Sequence, residues 1–561
     1  MTMVASPGTR ALRMRLATII GALLVALFAA WWASKVLGTG PLDVHNLRWV
    51  WGDLAQVHVA WSQYLSDTSA SWLTTLRVSY PEPISISLFD PMPLLLLLAK
   101  PFANLVTPGT QYFGYYFMAC LVLQGVFGYL AALRTLRLTG QGDELLSRYA
   151  AVLIGILFAS IPYTFYRFQG HTALSSQWVL VISIWVALST LDWKGRAWVL
   201  ANGAVVVLAT GLNPYLALLV LISNGSLVIM SWSTLGWRQV AVRLGSMAAL
   251  AALAAFGLWV FGFMGGTTAS TSGYGIYSMN LLGPFDSNGS AALLPLDVPD
   301  PTGGQSFEGY TYLGLGVLAL GAITLLVCLN HRLQPSRFPF MSALLVVLLC
   351  TIVAVSTTIT LAGHALEVPV PRSINYLLSR FRGSGRLFWM AGFWLLLIFL
   401  AASSLRLGLR RLALLLTAVV AVQLLDIRTI GHQVRLNIDS YQSLRLTDVP
   451  SGNYTAIFVY PAWQCDHQAT PGGVRNYESV GHLAASIGIP TNNFYAARTP
   501  DKQTAYHCDY AARLKTIDPG AVYLVSGALL EQHRSTLTAA HECTPMANSE
   551  GAWKCLPKPS R

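Results

Sequence analysis

The chain has 561 residues, of which 54% are hydrophobic and only 11% charged, and its mean hydropathy is +0.52. Soluble globular proteins carry about 25% charged residues, so this composition excludes an ordinary soluble enzyme and indicates a polytopic membrane protein. The formal net charge of +12 is attributed to basic cytoplasmic loops. We therefore expect membrane lipids as partners and no nucleic acid.

The first apolar run, Leu16 to Ser34, follows three arginines and resembles a signal sequence. Because it is long and ends in tryptophan, we predict an uncleaved anchor with a cytoplasmic N-terminus. Apolar runs of roughly twenty residues recur as far as residue 426 and predict about eleven spans. They cover residues 16–34, 110–133, 147–166, 173–191, 197–211, 214–231, 244–264, 310–329, 339–362, 387–405 and 411–426.

The run 91–106 is short and contains Lys100 and Pro101, so it is interpreted as re-entrant or interfacial. Without it, the basic residues of the short loops all fall on the cytoplasmic side, as membrane topology favours. These residues are Arg134, Arg137, Arg148, Lys194, Arg196, Arg238, Arg243, Arg332, Arg337, Arg410 and Arg411. The loops 35–92 and 265–309 then lie outside, as does everything after residue 426. This topology predicts a transmembrane domain, 1–426, and an extracytoplasmic domain, 427–561.

The loop 35–92 contains a helical pattern in the sequence WVWGDLAQVHVAW. One stripe carries Trp51, Leu54, His58, Trp61 and Leu65, whereas the opposite face carries Asp53, Gln56, Gln63 and Asp67. A helix of this kind is expected to lie in the membrane interface with its acid and amide face solvated. Asp90 follows, next to Pro91, and supplies a second carboxylate at the lipid–water boundary. The alternative interpretation is that both acids are plain surface groups.

Other polar groups collect on the same predicted outer face. His171 lies in RFQGHTAL at the mouth of a span, where a satisfied interface histidine is the more common outcome. Glu308 ends the long loop 265–309, and loops of that length often cover or line a site. The sequence GLNPY, with Asn213 and Tyr215, is interpreted as an ordinary turn.

Arginines in RSINYLLSRFRGSGRLFW lie on the outer side, against the usual charge bias. Arg382 and Arg386, separated by Gly-Ser-Gly, are predicted to bind a phosphate, because guanidinium groups donate paired hydrogen bonds and glycine allows close backbone approach. Snorkelling to lipid headgroups is the alternative for any single arginine.

The polar tail, 427–561, reads as a small α/β module, with strands in YTAIFVYP and AVYLVSG and a helix in GALLEQHRSTLTAA. Four cysteines in a domain placed outside imply two disulfides. Sequence nearness favours Cys465–Cys508 and Cys543–Cys555 among three connectivities. Nearby histidines leave a zinc site as the alternative, although the spacings match no standard finger. These are His467, His507 and His541.

The order of these segments resembles the GT-C glycosyltransferases, membrane enzymes that use sugars carried on polyprenyl phosphate. The resemblance runs over most of residues 40–426, and more weakly over the tail, and points to an uncharacterised bacterial branch. It rests on WGDLAQVHVAW, FDPMPLLLLLAKPF, TQYFGYYFMACLVLQG, GHTAL, EGYTYLGLG and RGSGRLFW.

The resemblance implies a GT-C-like fold and sugar transfer outside the membrane. It gives Asp53 the role of base or acceptor ligand, and Asp90 that of second acid or, in metal-dependent members, metal ligand. The first loop lacks a paired acidic motif, which leaves the choice between the two acids and any need for a divalent metal open. Gln56, His171 and Glu308 are the candidates for binding sugar hydroxyls.

The sequence thus predicts a glycosyltransferase of the bacterial inner membrane that uses a polyprenyl-phosphate-linked sugar and modifies an envelope glycan, lipid or protein. Two alternatives remain. A transporter or flippase of lipid-linked saccharides is expected to carry its polar residues at mid-span, often at broken helices. A non-catalytic membrane scaffold is expected to tolerate amide replacements of Asp53 and Asp90.

Overall fold

The computed structural model describes residues 7–559 except 91, 107–108, 142–144, 194, 231–236, 265–273, 330–334, 451, 497–498 and 548. Lys194, Arg332 and residues 265–273 of the predicted outside loop therefore lie outside the described residues. The described chain is mostly helical. Its α-helices are α1 (Pro7–Leu37), α2 (Asp53–Ser66), α3 (Pro93–Ala99), α4 (Phe113–Leu138), α5 (Leu145–Ala159), α6 (Pro162–Phe165), α7 (Trp178–Ser189), α8 (Arg196–Leu212), α9 (Pro214–Met230), α10 (Trp237–Val260), α11 (Leu315–Cys328), α12 (Phe340–Val355), α13 (Arg372–Leu378), α14 (Phe388–Ser440), α15 (Asn476–Ile487), α16 (Asp501–His507), α17 (Tyr510–Arg513) and α18 (Gly527–Ala540).

Five described helical segments are long and apolar enough to cross a membrane, namely Leu12–Leu37, Phe113–Leu138, Leu145–Gln169, Trp237–Val260 and Ser384–Ser440. A helix lies over every predicted span. The count of eleven is nevertheless not confirmed, because several of these helices are shorter than the roughly twenty residues that a bilayer core needs. The shorter apolar helices are Pro93–Leu105, Ala173–Ser189, Arg196–Leu212, Pro214–Ile229, Leu315–Cys328 and Phe340–Val355.

The helical core forms around α4 and α14. Helix α4 packs against α1, α5 and α7, and α14 packs against α11, α12 and α5. One large cluster of buried apolar side chains joins these helices, with Trp389 and Trp394 of α14 fully buried within it. Short 3₁₀ segments connect the helices at Gly40–Leu42, Ile86–Phe89, Lys100–Leu105, Tyr166–Gln169, Ala173–Ser175, Gly283–Phe285 and Ser384–Leu387.

Helix α14 runs through the boundary that we predicted between residues 426 and 427. Its backbone departs from helical geometry at Gly408 (φ +66°) and then continues to Ser440. Asp426 resembles the polar end of a span in the sequence, but in the structure it is fully buried and accepts a hydrogen bond from the Tyr312 hydroxyl at 2.5 Å. The predicted boundary therefore lies inside a helix, and the division into two domains at residue 426 stays a prediction.

Apart from Asp53, the acid and amide face predicted to be solvated on α2 is buried. Every residue from Leu54 to Leu65 is buried, and α2 packs against α15 of the tail. The Gln63 amide donates to the main-chain oxygen of Ile489 at 3.0 Å. A contact with another part of the chain thus satisfies the Gln63 donor in place of water, which a helical pattern alone cannot reveal.

Lys100 and Asp67 fix the far end of α2. The Lys100 ammonium donates to the main-chain oxygens of Tyr64 at 2.6 Å and Asp67 at 2.8 Å, where a cation stabilises a helix C-terminus. The Asp67 carboxylate accepts from Ser69 and Thr75 at 2.6 Å each. The run predicted as re-entrant or interfacial therefore reaches back to hold the helix that begins at Asp53.

The tail carries a four-stranded mixed sheet in the order β5-β6-β8-β7, with β5 parallel to β6 and the other pairs antiparallel. The predicted strands and helix are present as β5, β6 and α18. Two short hairpins lie elsewhere in the chain. The strands are β1 (Thr74–Thr75), β2 (Ile84–Ser85), β3 (Thr358–Leu361), β4 (His364–Glu367), β5 (Ile457–Tyr460), β6 (Val522–Ser526), β7 (His541–Pro545) and β8 (Ala552–Pro557).

Two disulfides join the pairs that sequence nearness favours. Cys465 is bonded to Cys508, and Cys543 to Cys555 across the β7–β8 pair. These bonds remove the thiolates that a zinc site would need. Within the described residues, no group of three or more His, Cys, Asp or Glu side chains is arranged to hold a metal ion.

Candidate functional site

A cavity of about 420 Å³ lies where α2, the turn at Asp90, the 166–175 segment, the loop ending in Glu308 and the segment before α14 meet. The seven residues predicted as catalytic, phosphate-binding or substrate-binding all line it. They come from distant parts of the sequence: Asp53, Gln56, Asp90, His171, Glu308, Arg382 and Arg386.

Asp53 is the first residue of α2, and its placement depends on Gly52. Gly52 has φ +57°, a left-handed value that glycine adopts without strain, and its N–H donates to Glu478 Oε1 of the tail at 2.9 Å. Arg475 holds the same glutamate at 2.6 Å. The tail thus fixes the turn before Asp53, whose carboxylate remains 41% exposed and faces the cavity at a helix N-terminus, where negative charge is favoured.

Asp90 has φ +58°, which is uncommon for a residue with a side chain but tolerated by aspartate. Asn213 Nδ2 donates to its Oδ1 at 3.2 Å. Burial raises the pKa of Asp90 to about 6, with the charges of His171 and Arg386 opposing the rise. Asp90 is therefore a weaker acid than an ordinary aspartate.

His171 lies between two carboxylates. Its Nδ1 is 3.5 Å from Asp53 Oδ2, and its Nε2 is 3.3 Å from Glu308 Oε1. The histidine thereby connects the acid on α2 with the acid at the end of the 265–309 loop.

Glu308 is the centre of a buried ion cluster. Its Oε2 accepts from Arg386 Nη2 at 2.6 Å and from Arg167 Nη1 at 3.2 Å. Arg167 also donates to the main-chain oxygen of Phe307 at 2.8 Å. Burial acts to raise the pKa of Glu308, but Arg386, His171 and Arg167 together hold it well below its usual range. Glu308 is therefore a permanent anion that neutralises buried cations.

Two glycines allow the two backbone segments that carry this ion cluster to approach each other closely. A Cβ on Gly385 would lie 2.8 Å from Gly309 Cα, and a Cβ on Gly309 would lie 2.1 Å from the main-chain oxygen of Ser278. Such distances do not occur between real atoms, so only glycine allows these backbones to touch. Their neighbours in sequence, Glu308 and Arg386, meet for that reason.

Arg382 differs from Arg386 in its charge balance. Arg386 is paired with Glu308 and lies 5.0 Å from the centre of the Tyr215 ring. The Arg382 guanidinium lies 5.2 Å from the Tyr277 ring, and in the described part of the chain no hydrogen bond or ion pair is found for it. Arg382 is therefore a cation of this cavity that is available to an anionic ligand.

Gln56 presents an unsatisfied donor to the same cavity. The residue is 6% exposed, and its Nε2 has no hydrogen-bond partner among the described residues. A buried amide without a partner costs free energy unless a ligand or water satisfies it. This is the behaviour expected of a group that binds a hydroxyl.

Apolar side chains also line the cavity. Leu258, Phe263 and Met264, at and just beyond the end of α10, do so together with Leu88 and Leu174. Met264 is 57% exposed, and Trp259 on the same helix end is 65% exposed. The cavity thus combines charged and apolar lining residues, and part of its apolar lining is exposed.

Sequence reasoning missed four residues of this site. GLNPY is more than the ordinary turn we interpreted, because Asn213 binds Asp90 and Tyr215 packs under Arg386. Arg167, next to His171 in RFQGHTAL, was assigned only to an outside loop. Tyr495 lines the cavity from the tail, and no motif marks it. In the sequence, only the arginine at the end of a predicted span and the Asn-Pro turn could have indicated any of these site residues.

The chain belongs to the family described as "Domain of unknown function (DUF6311)", whose model matches residues 24–428, and the DUF6311 C-terminal domain matches residues 446–557. No curated protein matches the sequence. Among solved structures, the chain is similar to the archaeal oligosaccharyltransferase AglB from Archaeoglobus fulgidus in complex with an inhibitory peptide and a dolichol-phosphate. The TM-score is 0.44 at 11% identity, over 96% of this chain and 74% of that chain.

A second structure from Archaeoglobus fulgidus, an oligosaccharyltransferase in complex with Zn and sulfate, has a TM-score of 0.41 at 12% identity. The match covers 92% of this chain and 69% of that chain. Both likenesses are distant.

Proposed function

We propose that this chain is a GT-C-type glycosyltransferase of the bacterial inner membrane. It moves a sugar from polyprenyl phosphate to an envelope glycan, lipid or protein on the outer face of that membrane. In this proposal, residues 1–426 form the transmembrane part, and residues 427–561 lie outside. The observation that carries the proposal is the single cavity shared by two carboxylates, Asp53 and Asp90, and two guanidinium groups, Arg382 and Arg386.

The reaction needs a base and a cation on opposite sides of the sugar. The acceptor oxygen forms a bond to C1 while the bond from C1 to the phosphate oxygen breaks, and the bonding pair leaves with polyprenyl phosphate. The acceptor proton passes to a carboxylate. We assign this role to Asp53, because its carboxylate is 41% exposed and has no hydrogen-bond donor among the described residues beyond its contact with His171, whereas Asp90 accepts from Asn213.

The departing phosphate gains negative charge and needs a fixed cation in a partly dehydrated site. Arg382 suits this role because no carboxylate neutralises it in the described chain, whereas Arg386 is already balanced by Glu308. The Asp90 carboxylate lies close enough to Asp53, His171 and Arg386 to interact with their charges. Its negative charge would stabilise the positive charge that develops at C1 in the transition state.

The apolar lining at Leu258, Phe263 and Met264 suits the isoprenoid chain of the donor. Gln56 and His171 are within the polar half of the cavity and are suited to sugar hydroxyls. Whether a divalent metal takes part stays a prediction from the resemblance, and no step above requires one.

The flippase alternative needs a polar path through the spans. The charged residues of this cavity instead cluster at the ends of helices and in the loops that join them, which favours chemistry at one face. The scaffold alternative does not explain why a cavity would keep Arg382 without an anionic partner in the described chain.

The test is the lipid-linked sugar pool of a deletion strain complemented with single variants. Asp53→Asn and Asp90→Asn are expected to leave the donor accumulated on the outer leaflet, as in the deletion. Asp439→Asn, an exposed acid paired with Arg435, is the matched control and is expected to restore the wild-type pool. Accumulation on the inner leaflet would support a flippase, and full complementation by both cavity variants would support a scaffold.

A further inference from the structure

The tail presents a cluster of aromatic rings beside the cavity. The cluster, here called the aromatic platform, consists of Trp463, Tyr477 and Tyr495. The Trp463 ring centre lies 4.6 Å from that of Tyr495 and 5.3 Å from that of Tyr477, and the two tyrosine rings are 5.2 Å apart. Tyr477 is buried behind the other two, which are half-exposed. Trp463 and Tyr495 are therefore the rings of this cluster that a ligand can reach, and they are tilted by 58° to each other.

The platform is held in place by hydrogen bonds that use up its polar edges. The Trp463 indole N–H donates to the main-chain oxygen of Val474 at 2.7 Å, and its main-chain N–H donates to Asn493 Oδ1 at 2.7 Å. The disulfide between Cys465 and Cys508 anchors the same loop. Since the indole donor is satisfied within the protein, the ring offers a ligand only its faces.

Two residues of the aromatic platform connect it to the part of the structure that holds Asp53. Tyr477 precedes Glu478, whose carboxylate accepts from Gly52 next to Asp53. Tyr495 itself lines the cavity. After burial, the charge of Asp53 is the largest influence that raises the pKa of Tyr495, to about 12. A ligand that stacks on Trp463 and contacts Tyr495 would thus reach the proposed base.

Resting on the proposed function, we infer that the acceptor is a saccharide whose pyranose ring stacks on Trp463 and contacts Tyr495 while one hydroxyl reaches Asp53. The C–H face of a sugar ring is apolar and its rim is polar, which matches open aromatic faces next to exposed polar groups. Such groups adjoin Trp463 at Asp466, His467 and Gln468. A lipid chain would need a continuous apolar surface there.

Binding is tested with the full-length protein in detergent on an array of tri- to hexasaccharides, with an array of length-matched peptides in parallel. We expect at least one oligosaccharide to bind, with affinity about tenfold weaker for Trp463→Ala and nearer the wild type for Trp463→Phe. Trp237→Ala, an exposed tryptophan (76%) at the start of α10, is the matched control and is expected to bind as the wild type does. Unfolding midpoints verify that Trp463→Ala is folded.

The inference is overturned if no oligosaccharide binds better to the wild type than to Trp463→Ala, or if peptides bind with the same dependence on Trp463. Donor turnover separates this inference from the proposed function. If transfer to a peptide or lipid acceptor continues and Trp463→Ala leaves the acceptor KM unchanged, saccharide binding by the platform is refuted and the transferase activity stands. If saccharide binding depends on Trp463 but no lipid-linked sugar is consumed, the transferase activity is refuted and saccharide binding by the platform stands.

Discussion

Replacing Glu308 by glutamine tests the buried ion cluster most sharply. In the wild type this carboxylate compensates two buried guanidinium groups, at 2.6 Å from Arg386 and 3.2 Å from Arg167, and all three side chains are at most 11% exposed. Glu308→Gln keeps the shape but removes the charge, so that two cations lose their anion in a site with little water. Breaking a buried ion pair from one side costs about 3–5 kcal/mol. We therefore expect a loss of this size in the free energy of unfolding.

The assay is thermal unfolding of the purified protein in detergent, where such a loss should lower the midpoint by on the order of 5 °C. The matched control is Glu531→Gln, which removes the same charge from an exposed pair with Arg534 and should change stability by less than about 1 kcal/mol. The double variant with Arg386→Gln removes one unpaired cation and should recover part of the loss. Equal midpoints for Glu308→Gln and Glu531→Gln would refute the reasoning, as would a double variant less stable than either single one.

Three further predictions concern the cavity and the tail. Because Asp90 has a folded pKa of about 6 against about 3.9 in the unfolded chain, the native state binds more protons between these pH values. The free energy of unfolding therefore falls by roughly 2–3 kcal/mol as pH rises from about 4 to about 6. Asp90→Asn should flatten this profile in pH-dependent unfolding and raise stability at pH 7. Activity, which requires ionised Asp90, should drop below about pH 6, and a wild-type rate unchanged from pH 7 to pH 5 would contradict the assignment. Arg382→Ala should raise the KM for the lipid-linked donor by about tenfold or more, since a charge-assisted contact to phosphate contributes about 1.5–3 kcal/mol, whereas an unchanged donor KM would exclude Arg382 as its phosphate ligand. The Cys465→Ser, Cys508→Ser double variant should lose about 2–4 kcal/mol of stability, and a chemical unfolding midpoint equal to the wild type would show that this bond does not constrain the tail.

Much of the site was predictable because sidedness can be deduced from simple patterns. Apolar runs located the helices, and basic short loops assigned the remaining polar segments to one face. Residues as far apart in sequence as Asp53 and Arg386 were thereby assigned to the same surface, and in the structure they line one cavity. Their catalytic and binding roles stay predictions, because geometry alone does not test them.

The pairings within the cavity were not predictable. Sequence spacing suggested that Arg382 and Arg386 act alike, yet only Arg386 meets Glu308, because Gly309 and Gly385 allow their backbones to touch. Which of two nearby arginines is neutralised depends on that contact between distant segments. No local pattern encodes it.

The burial of α2 escaped prediction for a related reason. A face with Gln56 and Gln63 has the same composition whether water or another part of the chain satisfies it. In the structure Gln63 is buried and donates to Ile489, whereas Gln56 lines the cavity. Likewise, Tyr495 lies in a part of the tail without a recognisable motif, so its place on the cavity wall depends on how the tail docks.

The central claim is that sugar leaves polyprenyl phosphate in the cavity lined by Asp53, Asp90 and Arg382. It is tested most directly in proteoliposomes that contain the purified protein and the lipid-linked sugars extracted from a deletion strain, by measuring the free polyprenyl phosphate released. We predict release that depends on an added envelope glycan fraction and is abolished by Asp53→Asn and by Asp90→Asn. Release at the wild-type rate from both variants, or no release from the wild type under the same conditions, would contradict the account.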